Sequence, residues 1–148
     1  MTIAIMQPYI FPYIGYFQLI NAVDKFIIYD DVNFINKGFI NRNRILVAGQ
    51  PHLFTIPLKD ASQNKLIHEV ELSVSEPWRK KLLKTIQQSY LKAPNFQIVF
   101  PIIEEILLHD CSHISELATF GMQKICTYMG IQTEIISTSR IYENAHLK

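Results

Sequence analysis

The sequence predicts an α/β fold: a mixed, partly parallel sheet, Rossmann-like, that starts with a βαβ unit and carries helices packed on it. Three observations lead there. The apolar run Ile3-Ala4-Ile5-Met6 ends at Gln7-Pro8 and does not alternate with polar residues, as expected of a strand covered on both faces of a parallel sheet. A second run, Phe26-Ile27-Ile28-Tyr29, follows a segment with helical spacing. Beyond residue 75 the apolar residues recur at intervals of three and four, the period of helices.

Taken in order, the first strand covers residues 3–6. Turn-forming residues Pro8 to Pro12 follow, and Ile14, Phe17, Leu19, Ile20 and Val23 then predict a buried helix over 14–23. The strand at 26–29 should lie parallel and adjacent to the first, because a crossover of this kind joins parallel neighbours. Arg44–Val47 and His52–Ile56 flank Ala48-Gly49-Gln50-Pro51, which is hairpin chemistry, and Leu66–Leu72 reads as one more strand. From Ser75, which can cap, Trp78, Leu82, Ile86 and Tyr90 recur every four residues opposite Lys80, Lys81 and Lys84, predicting an amphipathic helix with solvated lysines. An interior proline costs about 3 kcal/mol, so Pro94 and Pro101 predict a single turn and then a helix from Pro101 to Leu108. The last helix runs from Ser112 to Met129, stops at Gly130 as a left-handed cap and leads into a strand over Gln132–Ile136.

At 148 residues and 17.2 kDa the chain suits one domain, 1–148, and 49% hydrophobic with 18% charged residues excludes intrinsic disorder. A net charge of +1 without any run of like charge argues against a nucleic-acid binder that works by neutralising phosphates. The first 23 residues carry no charge, but they lack a basic leader and are broken by Gln7, Pro8, Pro12, Gln18 and Asn21. Neither a secretion signal nor a membrane span is expected. Cys111 and Cys126 make no disulfide framework, which fits a cytoplasmic protein. The histidines at 52, 68, 109, 113 and 146 show no ligand spacing, so no metal site is predicted, and the sequence points to no cofactor.

Three features could carry chemistry. Tyr9, Phe11, Tyr13, Tyr16 and Phe17 crowd into nine positions, and they read either as core or as a stacking wall for a planar ligand. Asp30-Asp31 falls at the carboxyl end of the second strand, where open α/β sheets place their ligands. These acids are either strand-ending caps or catalytic or metal-holding groups, with Asp30 the candidate general base. The segment from Asn33 to Arg44 holds four asparagines, three basic residues and no acid. Asn33, Asn41, Arg42, Asn43 and Arg44 there could hold an anion and orient hydroxyls, or could form a solvated loop whose arginines pair with Asp30 and Asp31. The expected site brings Tyr9, Tyr13, Asp30, Asn33 and Asn41 to Arg44 together at the carboxyl ends of the first two strands.

The residues Met6-Gln7-Pro8-Tyr9-Ile10-Phe11-Pro12-Tyr13-Ile14-Gly15-Tyr16-Phe17, with Tyr29-Asp30-Asp31-Val32-Asn33-Phe34, Asn41-Arg42-Asn43-Arg44-Ile45 and Phe54-Thr55-Ile56-Pro57-Leu58, resemble the WbqC-like family. The resemblance runs the length of the chain and implies a role in bacterial surface-polysaccharide (O-antigen, lipopolysaccharide) biosynthesis, with transfer of glycine or another small acyl group to a sugar. Substrate contacts are expected at Gln7, Tyr9, Tyr13 and Gly15. Many members carry a histidine where this chain has Met6, and members usually continue past the position of Lys148, which implies a truncated copy. The layout around Pro12-Tyr13-Ile14-Gly15-Tyr16 is also similar to nucleotidyltransferases and class I aminoacyl-tRNA synthetases, with tyrosines in both histidine positions of their His-x-Gly-His.

Two functions follow. One is a transferase moving an amino-acid or acyl group onto a nucleotide-linked amino sugar, its partner a small molecule such as a nucleotide, acyl donor or nucleotide sugar. The other is a non-catalytic binding or scaffold module of a polysaccharide-assembly system, associating through an exposed edge with a second copy or another protein.

Overall fold

β1, Ile3–Met6, pairs in parallel with β2, Lys25–Ile28, in the register Ile3 to Lys25 and Met6 to Ile28. The crossover is α1, Ile14–Asn21, so the βαβ start is present with both strands within one residue of the predicted bounds. The computed structural model describes residues 1–74 and 77–143. The expected Ser75 cap and His146 lie outside them.

The hairpin is formed by β3, Arg42–Val47, and β4, Gln50–Thr55, in antiparallel register from Arg42–Thr55 to Val47–Gln50. Its loop is only Ala48-Gly49, and both take positive φ, 50° and 76°, as a two-residue turn that matches strand twist requires. Glycine accepts this freely; Ala48 accepts it at a cost in strain. Two short strands, β5 at Leu58–Lys59 and β6 at Glu71–Leu72, form a second antiparallel pair.

The expected strand over Leu66–Leu72 is mostly a 3-10 turn at Ile67–Glu69, followed by β6. The Glu69 side chain accepts from the Leu66 N–H at 2.8 Å, and the Glu69 N–H donates to the Leu66 carbonyl at 3.0 Å, which closes the turn. Ile67 and Val70, three apart, are both fully buried, so the run serves a helical rather than an alternating period.

α2 spans Trp78–Tyr90, α3 Phe96–Leu108 and α4 Ile114–Met129. In α2, Trp78 and Ile86 are buried and Leu82 half-buried, while Lys80, Lys81 and Lys84 are exposed, as the spacing predicts. α3 begins five residues before the expected start and keeps Pro101 in its interior. The missing N–H costs about 3 kcal/mol, but Phe96, Ile106 and Leu107 on the inward stripe bury enough apolar surface to offset it. α4 ends on Gly130 at φ 72°, the left-handed cap. β7, Glu134–Ile136, then returns to pair in parallel with β2, giving the order β1-β2-β7.

Parallel and antiparallel pairings therefore coexist, divided among three small sheets instead of sharing one. One face of the parallel sheet carries the helices: Phe26 and Ile28, with Ala4, Met6 and Ile135, pack on Tyr16, Phe17 and Ile20 of α1 and on Met122 and Cys126 of α4; on the other face Ile27 of the central strand is still buried. Ile3 and Ile5 point the other way and are 48% and 54% exposed, against the two-sided cover expected of β1. Both α1 and α4 lie over the Phe26 face, which is why Ile3 and Ile5 stay outside. A larger core joins the hairpin, the 67–72 segment and α2 to α4 around Ile56, Ile67, Ile106, Ile114 and Leu117.

Candidate functional site

Asp30 follows β2 and is 3% exposed. Past β7, Thr138 donates its hydroxyl to Asp30 Oδ1 at 2.8 Å, and the Ser139 N–H donates to the same oxygen at 3.1 Å. Ser139 Oγ donates to Asp31 Oδ1 and accepts from the Asp30 N–H at 3.3 Å. Thr138 Oγ1 also accepts from Arg140 Nε at 3.1 Å, extending the network to a guanidinium at the surface. Both buried carboxylates are thus anchored by a segment more than 100 residues away in sequence, as buried charge demands.

A cleft of about 730 Å³ opens beside Asp30, lined by His68, Glu69, His109, His113, Glu116 and Arg140 among others. The 3-10 turn places His68 so that its backbone N–H and its ring Nδ1 both lie near the Asp30 carbonyl, at 3.0 and 3.1 Å. A carbonyl can only accept, so in the neutral ring the proton sits on Nδ1 and Nε2 is left as a base. His113 precedes α4 and is fixed by Ser112 Oγ at 2.8 Å from its Nδ1. Glu116 Oε2 accepts from the His113 and Ser112 N–H groups at 3.3 Å each, tying down the start of α4. His109 stacks on Phe120, with ring centres 3.7 Å apart and planes within 10°. Among the described residues, no group of three or more His, Cys, Asp or Glu side chains is arranged to hold a metal ion.

Of the residues expected at the site, Asp30 alone lines this cleft. Asn41 is buried and donates Nδ2–H to the Ile56 carbonyl at 2.9 Å, while the Ile56 N–H returns a bond of 2.7 Å to the Asn41 carbonyl. Arg42 spends its guanidinium on the backbone carbonyls of Gly38, at 3.1 Å, and Lys37. Asn43 donates to the carbonyls of Ile10 and Phe11, at 3.1 and 2.7 Å, and so pins Phe11 at a positive φ of 47°. Arg44 and Asn33 are exposed, and no hydrogen bond or ion pair joins Asp30 to residues 41–44 among the described residues. The expected pairing of the arginines with Asp30 is thus replaced by arginine to backbone for Arg42.

The aromatic cluster divides in the same way. Tyr16 is buried and donates its hydroxyl to the Gln7 carbonyl at 2.6 Å; burial pushes the phenol's pKa up. Tyr9 packs between Tyr16 and Phe39, and Tyr13 is 70% exposed. A methyl group on Gly15 would come within 2.4 Å of the Tyr13 ring, so the glycine makes room for that ring. Cys126 is buried beneath the sheet, and burial pushes its thiol up to about 11.

Sequence reasoning missed His68, His109, His113, Glu116, Thr119 and Arg140. They come from three separate segments, and the only local signal was the four-residue separation of His109 and His113. No helix among the described residues is long and apolar enough to cross a membrane.

Comparison with known proteins agrees with the arrangement of motifs. The chain is similar to the uncharacterized protein Rv1507c of Mycobacterium tuberculosis (strain ATCC 25618 / H37Rv), 30% identical over 138 residues, 92% of this chain and 59% of that protein. It thus spans about three fifths of that relative's length. No solved structure matches it. Residues 7–148 match the model of the WbqC-like protein family, which covers all but the first six residues, and the chain belongs to that family.

Proposed function

We propose that the chain carries the acid–base and acceptor-binding part of a transferase that moves an amino-acid (glycine-like) or other acyl group onto a nucleotide-linked amino sugar in the cytoplasm, for surface-polysaccharide (O-antigen) assembly. The observation that carries it is His68, whose Nδ1 is held by the Asp30 carbonyl on the wall of a polar cleft. In the proposed step the acceptor amine attacks the carbonyl carbon of an activated acyl donor, a thioester or adenylate. The new C–N bond forms, the C–S or C–O bond to the leaving group breaks, and the amine's proton passes to His68 Nε2. Asp30 and Asp31 orient this base through the strand end, and Arg140 at the surface is available for an anionic part of either substrate. The exposed residues of the expected set, Tyr13, Asn33 and Arg44, are candidates for substrate parts outside the cleft.

Mass spectrometry tests the reading: the protein incubated with nucleotide-linked amino sugars and acyl-CoA or aminoacyl-adenylate donors should yield acylated sugar. Thermal shift gives a quicker check, because a ligand at 100 times its Kd stabilises by about 2.7 kcal/mol. No product and no shift with any of these overturns it. One observation favours the scaffold alternative, the exposed Ile3 and Ile5 on the β1 edge strand of the parallel sheet. A chain that stays monomeric in sedimentation at high concentration would count against association of this edge with a second copy.

A further inference from the structure

Thr119 lies in the second turn of α4, is 6% exposed and lines the Asp30 cleft. Its Oγ1 is buried and has no hydrogen-bond partner among the described residues. Other helical threonines of this chain behave differently: Thr85 Oγ1 donates to the Lys81 carbonyl and Thr127 Oγ1 to the Gln123 carbonyl, each at 3.0 Å. That back-bond to the residue four earlier is the usual refuge of a helical threonine. Thr119 forgoes it, and a buried hydroxyl left unmet costs stability.

The surroundings say what would meet it. The next residue, Phe120, stacks on His109 and supplies a flat apolar surface. Asp30, Glu69 and Glu116 supply acceptors around the cleft that suit hydroxyl or ammonium donors, while the guanidinium of its lining, Arg140, is exposed, so an anionic group is met at the surface. We infer that Thr119 Oγ1 is a ligand-anchoring group that hydrogen-bonds a ring hydroxyl of the acceptor sugar, seating the sugar in the cleft and leaving its phosphates outside. The sugar's identity as acceptor rests on the transferase reading; the unmet hydroxyl does not.

The test compares Thr119→Val, which keeps the shape and removes the hydroxyl, with Thr119→Ser, using glucosamine and N-acetylglucosamine as probes and inorganic phosphate as comparator. Binding is followed by NMR on the ring protons of His68, His109 and His113. The expected result is that Thr119→Val weakens binding of the amino sugars about tenfold, the loss of one hydrogen bond, while Thr119→Ser keeps it. Without ligand, Thr119→Val should melt no lower than the parent, because it removes an unsatisfied polar group. Overturning results are amino-sugar binding unchanged in Thr119→Val, no binding of either sugar to the parent, or phosphate displacing the sugars. Should Thr119→Val fail to fold, loss of sugar binding in a folded Thr119→Ser would overturn it as well. Sugar binding without acyl transfer would remove the transferase and leave the anchoring role standing.

Discussion

The segment from Asn33 to Arg44 and the cleft beside Asp30 are both rich in polar side chains, yet they use them in opposite ways. In the segment, Asn41, Arg42 and Asn43 turn onto backbone carbonyls of Ile56, Gly38, Lys37, Ile10 and Phe11. They hold together stretches of chain that have no sheet partner, and Phe34 and Ile40 between them are buried. In the cleft, residues from four distant segments meet around a polar hollow, and Thr119 Oγ1 there has no hydrogen-bond partner among the described residues. A dense polar motif can therefore be scaffold, while thinly scattered histidines come together on the wall of a cleft.

The contrast can be broken most severely at His68. His68→Gln should lower acyl transfer by about 10²–10⁴-fold, the usual contribution of a positioned acid–base group, with the melting temperature nearly unchanged. A small loss of rate would move the chemistry out of the cleft. Asn43→Ala should act in the other sense, destabilising by about 2 kcal/mol in urea unfolding, because two part-buried carbonyls lose their donor. It should leave ligand-induced thermal shifts intact; a shift lost in a fully folded variant would return the segment to the site. Arg44 is the exposed arginine on which that question turns: Arg44→Lys should change stability by less than about 0.5 kcal/mol but weaken binding of an anionic substrate, because the bidentate fork is lost, and unchanged binding would remove Arg44 from the candidates.

The smallest effect is expected at the opposite end of the sheet. The Thr2 N–H and hydroxyl donate to Asp24 Oδ2 at 2.6 and 3.1 Å, the backbone bond being the larger influence, and hold the Asp24 carboxyl below its usual range. A depressed carboxylate stabilises the fold above its unfolded value and loses that contribution as pH falls through the folded one. Asp24→Asn should flatten the acid limb of the stability profile slightly and leave neutral stability only a little lower, as read by melting between acid and neutral pH.

Much of the fold was legible because local chemistry and tertiary structure agree there. The run Ile3–Met6 stopped by Gln7-Pro8, the Ala48-Gly49 turn and the Gly130 cap each encode a boundary in adjacent residues. Legibility failed where burial overrode propensity. Pro101 sits exposed inside α3 because Phe96, Ile106 and Leu107 on either side of it are buried in the core, and Ile67 with Val70 bury at a spacing of three inside a run that resembled a strand. The position of Asp30 could be read from its place at a strand end. Its partners Thr138 and Ser139 could not, since nothing in a stretch of sequence states which distant loop will cover it. The loop asparagines misled for a related reason: the same donors that bind a ligand anion also bind a carbonyl, and composition does not distinguish the two.

β2 takes one neighbour from residues 3–6 and the other from residues 134–136. During synthesis the first pairing can form early, but the second edge of β2 stays open until the end of the described chain has been made. At about 5–20 residues per second, the interval between residues 28 and 134 is roughly 5–20 seconds. Through that time Asp30 and Asp31 lack Thr138 and Ser139. The nascent protein thus acquires its hairpin and helices before the wall of the cleft is complete, and the long-range contact that completes the sheet also sets when the two buried carboxylates gain their partners.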